Sequence, residues 1–463
     1  ALALGMAQVI FAEGLEDGKF LKEFAHGLVP FREYVEAFTP EKTACITGIS
    51  AKDIVGAARM YATSPPAQIT ISASSTTHHS NGFQSHRAIL LLSALCGNLD
   101  VSGGNRPWGH RLLENSIDLD SEKVALLGKP LGAKEHPVFV ETYGEGQAMR
   151  LTDAIESGEI KGVYSVGMNL SMWPNSGRLK CALESLEFFS VSDFFDTPTT
   201  ELAKVFFPAA THLERQALVV SGNGRVQYRP AVVTPRGEAI GDTELVFAMA
   251  KALGSATQFW DGDIHESFKA RLSGTGLTFA DLPASGRPLH VRVTEPEERR
   301  YLRRGFGTPT GKVEFVSTIL EKAGNQGLPV YKEPYWSPVS TPDLAQSHPL
   351  VLTTGARTRT YTHSQGRQLE TLRRREPEPQ LQMSPLDAVA RGIAEGDEVR
   401  LSSPLGAINL KASVTEIMPP GVVSAPHGWA DADINLLIPD GGLDPISGFP
   451  PFKSSLCQVE RKI

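Results

Sequence analysis

Cysteine is scarce in this chain of 463 residues: Cys45, Cys96, Cys181 and Cys457 are the only four, and none lies in a CxxC pair. That argues against a disulfide framework or a structural zinc site. An iron–sulfur cluster needs about four thiolates at short spacing, so none is expected within this stretch. Long apolar runs are missing as well. The longest, Ala88 to Cys96, is interrupted by Ser93 and falls well short of the roughly 18 residues that cross a membrane. It reads as a buried helix. No excess of positive charge marks a nucleic-acid surface, because 45 Lys and Arg face 52 Asp and Glu for a net charge of −7. Familiar catalytic signatures are missing too. No G-x-S-x-G elbow, Walker A loop, H-E-x-x-H or G-x-G-x-x-G occurs, and no close carboxylate pair stands out as an acid–base site.

What is present is ordinary globular composition, 41% hydrophobic and 21% charged. At roughly 100–200 residues per domain, two to four domains are expected. The first residues, Ala1-Leu2-Ala3-Leu4-Gly5-Met6, carry no charged leader and read as a helix entered partway, so the sequence is expected to start inside a domain. Three zones follow. Residues 1–105 read as α/β, with a helix capped by Ser50 and Asp53, a buried strand over Gln68 to Ser72, a polar loop from Ser74 to Gly82 and a helix from His86 to Cys96. Residues 106–335 contain a strand over Val163 to Val166 and a helix from Asn175 or Ser176. Leu179, Ala182, Leu183 and Leu186 line one face of that helix, and a second strand ends at Asp193. This strand–helix–strand unit has the size of a βαβ crossover, about 30 residues. A hairpin is expected around Asn223-Gly224, and a helix from Asp242 to Leu253. In residues 336–463, Ile408, Leu410, Ala412 and Val414 alternate with polar residues, and frequent Gly and Pro suggest a compact β-barrel.

Four constellations can carry chemistry. Gly167-Met168-Asn169 ends the first strand of the βαβ unit and Asp193 ends the second. Ligands of open α/β sheets sit beyond the carboxyl ends of strands, where a glycine admits a phosphate, a helix N-terminus faces an anion and an acidic residue receives a ribose or guanine edge. An ordinary tight turn beside a solvated Asp has the same spacing. Thr76-Thr77-His78-His79-Ser80-Asn81-Gly82 is either a binding loop or a polar loop bonded to its own backbone. Thr353-Thr354-Gly355-Ala356-Arg357 and Tyr361-Thr362-His363-Ser364-Gln365 gather hydroxyls, an Arg, a His and an amide that suit a polyanionic ligand, or a solvated loop. The long stretch from Asp431 to Lys453 holds Asn435 and the Asp444-Pro445-Ile446-Ser447-Gly448 turn.

In order and spacing, these segments resemble the dimethyl sulfoxide reductase family of molybdopterin enzymes. Thr77 to Gly82, then Arg87-Ala88-Ile89, then Leu95 to Asn105 resemble the family's T-x-H-x-N-G, R-A-I and L-x-G-N-x-D-x-x-G-G-N patterns. Gly167-Met168-Asn169 resembles G-x-N-P, with Leu170 for the Pro. Asp193 to Thr197 resembles D-x-F-x-T-E-T, with Pro198 for the Glu. Ala203 to Pro208 resembles A-D-x-V-L-P, with Lys204 for the Asp, and Thr308 to Phe315 matches T-P-x-G-K-x-E-hydrophobic. The 353–365 cluster, Gly392 to Val399 and Gly421 to Gly428 are similar to the family's C-terminal cofactor-binding barrel.

The resemblance implies an α/β protein with two Rossmann-like nucleotide-binding domains, the first partial, followed by a double-psi β-barrel. It implies a bis(molybdopterin guanine dinucleotide) cofactor holding Mo or W. Carried over by position, Gly167, Asn169, Asp193 and Thr197 serve one guanine dinucleotide. Gly355, Arg357, His363, Ser364 and Gln365 contact pterin and phosphates, Asn435 and Lys453 are candidates of the same kind, and His79 sits near the metal face as the catalytic candidate. In the family the metal's own Cys, selenocysteine or Ser ligand lies upstream of the matched segments, as does any [4Fe-4S] domain. The implied function is oxygen-atom or proton-coupled electron transfer on a small substrate, with an iron–sulfur electron-transfer subunit as a candidate partner. Two rivals share the scaffold: a non-redox hydratase or transhydroxylase, and a non-catalytic scaffold subunit. Retention of Gly167, Asn169, Asp193 and the 353–365 cluster argues against the last.

Overall fold

A computed structural model describes residues 1–106, 130–220, 225–273, 275–282, 287–290, 298–354 and 358–462. The first zone is helical rather than α/β. Its helices run over Leu2–Ala12, Gly18–Phe24, Leu28–Val35, Pro40–Thr47, Ala51–Thr63, Ala73–Thr76 and Gly82–Leu95. Its one strand among the described residues, β1 (Ala25–His26), is two residues long. The Ser50 cap is present: the Asp53 N–H donates to Ser50 Oγ at 3.1 Å, and the hydroxyl returns a bond to Asp53 Oδ2 at 2.6 Å.

The strand expected over Gln68 to Ser72 does not form, for a visible reason. Its backbone is satisfied by side-chain amides instead of a neighbouring strand. Ala67 N–H donates to Asn98 Oδ1 at 3.0 Å, and Ile69 exchanges bonds with both amide atoms of Asn105, at 3.1 and 2.9 Å. An Asn side chain copies the peptide's donor and acceptor, so an extended segment can be held without a sheet.

The middle zone supplies the expected crossover. β2 (Gly162–Val166) pairs in parallel with β3 (Phe188–Asp193), and β3 pairs in parallel with β4 (Val205–Pro208). Leu179, Ala182 and Leu183 of the Ser176–Ser185 helix are buried against Phe189 and Val191 of β3. That is the i, i+3, i+4 stripe read from the sequence. The strands flanking Asn223-Gly224 are β5 (Ala217–Val220) and β6 (Arg225–Arg229), antiparallel as expected, with β7 (Leu289–His290) beyond them. The turn itself lies outside the described residues. The helix expected from Asp242 runs Asp242–Ala252.

The chain then returns to the first zone. β8 (Val313–Glu314) pairs with β1, and Tyr301, Phe306 and Phe315 join the helical core beside Phe20, Phe24 and Phe31.

The last zone is a closed six-stranded barrel. Its strands are β9 (Leu350–Thr354), β10 (Gln380–Met383), β11 (Glu398–Ser403), β12 (Gly406–Val414), β13 (Val422–Ala425) and β14 (Ser455–Arg461), hydrogen-bonded in the order β10-β12-β11-β14-β9-β13. Parallel pairs β10/β12 and β9/β13 sit among antiparallel ones. Ile408, Leu410 and Ala412 face the core with Leu352, Val399, Leu401 and Val423, so the period-two alternation of β12 marks its inner face.

Candidate functional site

The sheet and the barrel meet along the segment that follows β2. Gly167 takes φ +60°, and nothing stands within 4 Å of where a Cβ would project. It therefore makes the turn that L-residues resist and leaves its approach open. Asn169 caps a 3₁₀ turn over Leu170–Met172, its Oδ1 accepting the Ser171 N–H at 2.9 Å. Asp193 ends β3 half-buried, with Oδ1 accepting the Phe194 N–H at 2.6 Å. Thr197 closes a hydroxyl turn with Thr200 through bonds of 2.7, 3.2 and 3.0 Å. These four residues share the carboxyl end of one parallel sheet, the usual place for a ligand.

One expectation is corrected. The N-terminus of the helix after β2 does not face an open anion site. The barrel already covers it: Asn175 N–H donates to Ile438 O at 2.9 Å, Asn175 Nδ2 to Asp440 Oδ1 at 3.1 Å, and Arg178 to Asp440 Oδ2 at 2.6 Å. The protein supplies its own anion at the positive end of that helix.

The barrel loops close the seam. Asn435 is buried, and its Nδ2 donates to Ser171 O at 2.7 Å, which ties the barrel to the turn after Gly167. Gly428 sits at φ +78°, where a Cβ would lie 3.0 Å from Met172 Sδ and 3.4 Å from Ser364 Cβ. Ser364 thus meets the sheet's loop across a glycine. His363 Nδ1 bonds His427 Nε2 at 2.5 Å, with the ring planes 16° apart and their centres 4.8 Å apart, so the rings meet edge to edge. Gln365 is exposed beside them, bonded through its N–H to Thr362 O at 3.0 Å. Gly355 and Arg357 lie outside the described residues. A cleft of about 430 Å³, lined by Thr358, Arg359, Gln382, Ser424 and Pro426 among others, opens beside this loop.

His79 and Lys453 form a neighbouring group. The His79 N–H donates to Thr77 O at 2.9 Å in a turn where a Cβ on Gly82 would collide with Thr77 O, so only glycine fits there. Lys453 Nζ holds Thr354 O, the last carbonyl of β9, at 2.7 Å, while its N–H donates to His78 O at 3.3 Å. Burial, then the Lys453 charge, lowers the His79 imidazole below its ordinary value. His78 lies against the rings of Phe449 and Phe452, and burial, with Lys453 and His79 adding to it, pushes its imidazole down to about 4.

A pH dependence follows. In the unfolded chain His78 takes a proton near 6.5, whereas folded it stays neutral until about 4. Between those values the unfolded state binds more protons, so this contribution is complete above pH 6.5 and is lost as the pH falls through the window. His78→Phe keeps the ring and removes the proton site. Urea midpoints should therefore fall less for the variant than for the parent between pH 6.5 and 4.5. Equal slopes would refute the assignment.

Sequence reasoning missed Arg367. Its Nη2 donates to His427 O at 2.8 Å and its Nη1 to Gly428 O, and its guanidinium lies 4.0 Å from the Trp429 ring centre. Burial lowers its pKa to about 10. An Arg two positions past a binding loop is a local hint, but nothing local announces that it grips a segment 60 residues away.

The donors fit a molybdopterin guanine dinucleotide. An open-faced glycine and a carboxylate have the chemistry to receive a nucleotide, and an ammonium, an imidazole and a hydroxyl suit anionic phosphates and a hydrogen-bond-rich pterin. The molybdopterin oxidoreductase family model matches residues 1–252, and the molydopterin dinucleotide binding domain matches residues 350–456. The chain is 28% identical to probable oxidoreductase YoaE of Bacillus subtilis, over all of this chain and 66% of that protein. It is 27% identical to the F420-dependent formate dehydrogenase subunit alpha of Methanocaldococcus jannaschii, over all of this chain and 68% of that subunit. Among solved structures, acetylene hydratase from Pelobacter acetylenicus superposes with a TM-score of 0.88 at 26% identity, over all of this chain and 70% of that one. The chain thus spans about two-thirds of the length of these relatives. With its sheet-end loops and its dinucleotide-binding barrel, it belongs to the molybdopterin oxidoreductase family, in the dimethyl sulfoxide reductase group that carries bis(molybdopterin guanine dinucleotide) with Mo or W.

Proposed function

We propose that the protein containing this chain transfers an oxygen atom, or electrons coupled to protons, to or from a small substrate of the formate, thiosulfate or oxyanion type. The observation that carries this reading is the seam where Ser171 and Met172, in the turn that follows Gly167 and Asn169, meet Ser364, Gly428 and Asn435. When bound, the metal–pterin group supplies the redox chemistry. The chain's own part is to grip and orient. Residues 1–105 and 106–335 act as the two nucleotide-binding units, and the 336–463 barrel, with double-psi topology, closes over both pterins. Asp193 receives a guanine edge, with Gly167, Asn169 and Thr197 shaping its surroundings. Gly355, Arg357, His363, Ser364, Gln365 and Lys453 face pterin and phosphate, and Asn435 holds their support in place. His79, neutral at physiological pH, stands by the substrate as an acceptor or donor of a hydrogen bond. An iron–sulfur subunit is the natural electron partner for such a centre.

The likeness to acetylene hydratase supports a second reading, a hydration that needs no external electron acceptor. Both are tested on the complete enzyme. Purified protein should contain Mo or W, release about two guanosine monophosphates per metal on acid hydrolysis, and show oxidised-pterin fluorescence. Absence of metal, pterin and guanine together sinks both. Turnover only with an electron donor or acceptor favours the redox reading, and turnover without one favours hydration.

A further inference from the structure

We infer that residues 440–453 form a strap across the three zones that acid releases, with His136 as its latch. The inference stands apart from the reaction proposed above. Residues 438–454 contain no helix or strand, and a loop of that length inside a compact fold usually has a task of its own. Both ends of the strap are gripped. At one, Asp440 accepts from Asn175 and Arg178 of the middle zone at 3.1 and 2.6 Å. At the other, Lys453 Nζ donates to Thr354 O in the barrel at 2.7 Å, and its N–H to His78 O in the first zone at 3.3 Å. Between them, Asp444 accepts the Phe83 N–H at 3.0 Å, and the Phe449 ring stacks on His78 with centres 5.3 Å apart.

The middle of the strap lies on residues 136–150. His136 Nδ1 is 3.3 Å from Pro445 O, Gln147 Nε2 donates to Ser447 O, and Phe139 meets Phe449 edge-on with ring centres 6.1 Å apart. Gly448, at φ +73°, leaves the room that the Gln147 side chain fills, where a Cβ would collide with it. His136 is the N-cap residue of the helix Pro137–Tyr143, yet its side chain makes no capping bond and turns to the strap instead. The residue is 2% exposed, and both ring nitrogens are engaged. A carbonyl only accepts, so Nδ1 carries the hydrogen toward Pro445 O. A guanidinium only donates, so Nε2 offers its lone pair to Arg150 Nη2 at 3.1 Å.

That arrangement is complete only while the ring is neutral. A proton on Nε2 would face the Arg150 N–H groups, donor against donor and cation against cation, in a site closed to water. Arg150 is itself bonded to Asp153 at 3.2 Å, which limits its retreat. The charged groups around the ring are Arg150, Glu135 beside it in the chain, and Asp444 from the strap. Burial, then Arg150, outweighs the two carboxylates and lowers the imidazole below its ordinary value. With the strap lifted into water the ring returns toward 6.5. The open form therefore binds more protons, so closure is fully favoured above about pH 6.5 and weakens as the pH falls below it.

The test is hydrogen–deuterium exchange of the complete enzyme, read as protection factors of the Ile446, Ser447 and Gly448 amides. His136→Asn offers a donor and an acceptor but takes up no proton. Between about pH 7.5 and about pH 5, the parent should lose about three- to tenfold more protection than this variant. Arg150→Met keeps the ring and removes the opposing charge, so its loss should also be smaller than the parent's. Near-UV circular dichroism at neutral pH shows which variants are folded, and a parent-like loss in either folded variant overturns the proposal. A loss that vanishes in His78→Phe and persists in His136→Asn overturns it too, because His78, which stacks on Phe449, would then be the latch. An enzyme without metal or pterin would fail the reading above and leave these protection factors to decide the strap by themselves.

Discussion

Asp444→Ala should destabilise the protein by about 3–5 kcal/mol, a loss at the top of the range for a single substitution. Asp444 is fully buried. Its Oδ1 accepts the N–H groups of Ile446 and Ser447 at 3.0 and 2.7 Å and the Ser447 hydroxyl at 2.9 Å, and its Oδ2 accepts the Phe83 N–H at 3.0 Å. Phe83 lies in the first turn of the Gly82–Leu95 helix, whose own N-cap residue, Asn81, makes no capping bond. Asn81 instead donates to Val330 O at 2.8 Å. The helix is therefore capped from a segment hundreds of residues away, by an anion at its positive end. Alanine leaves three backbone donors without partners, each costing about 1–3 kcal/mol when buried. Asp444→Asn keeps the Oδ1 bonds but turns a donor toward Phe83, so about 1–3 kcal/mol is expected. Urea denaturation gives the stabilities, and limited proteolysis should cut first between Asp440 and Lys453. An Asp444→Ala protein within 1 kcal/mol of the parent would remove Asp444 as the joint between the first zone and the barrel.

That joint also shows where sequence reading stops. The βαβ unit was legible because its signals are local: the helix stripe from Leu179 to Leu186, the glycine after β2 and the Asp that ends β3. The alternation of Ile408, Leu410 and Ala412 was legible for the same reason. Asp444 was read only as part of a turn, because its fourth bond reaches Phe83 across the whole chain. The 67–72 segment has strand composition, yet Asn98 and Asn105 replaced the missing neighbour strand, and no propensity encodes that. The Ser176–Ser185 helix was expected to offer its N-terminus to a ligand, but Asp440 arrived there first. His363 was singled out through its motif. Its partner His427 and its clamp Arg367 became visible only once the two barrel loops were folded together. Local pattern thus specified the elements and the loops at their ends, and long-range hydrogen bonds decided which of those loops remained open.

Asp193 is the sharpest test of what remained open. Its Oδ1 is engaged by the Phe194 N–H, its carbonyl by the Ala209 N–H at 3.0 Å, and among the described residues no donor is bonded to Oδ2. The carboxylate is thus fixed in orientation with acceptor capacity left over. Guanine presents two adjacent donors on one edge, the ring N1–H and the exocyclic amino group, and a carboxylate can take both. A charge-assisted hydrogen bond contributes about 1.5–3 kcal/mol. Asp193→Asn replaces one acceptor by a donor, so guanosine monophosphate should bind the cofactor-free enzyme about 10- to 100-fold more weakly. Inosine monophosphate, which lacks the amino group, should lose about tenfold against the parent and much less against the variant. Adenosine monophosphate, with an acceptor at N1, should bind the parent poorly. Because Asp193 is half-exposed at a strand end, the variant should unfold within about 1 kcal/mol of the parent, which separates lost recognition from lost structure. Calorimetric titration with the three nucleotides decides the matter: equal affinity of parent and variant for guanosine monophosphate would place the guanine elsewhere in the fold.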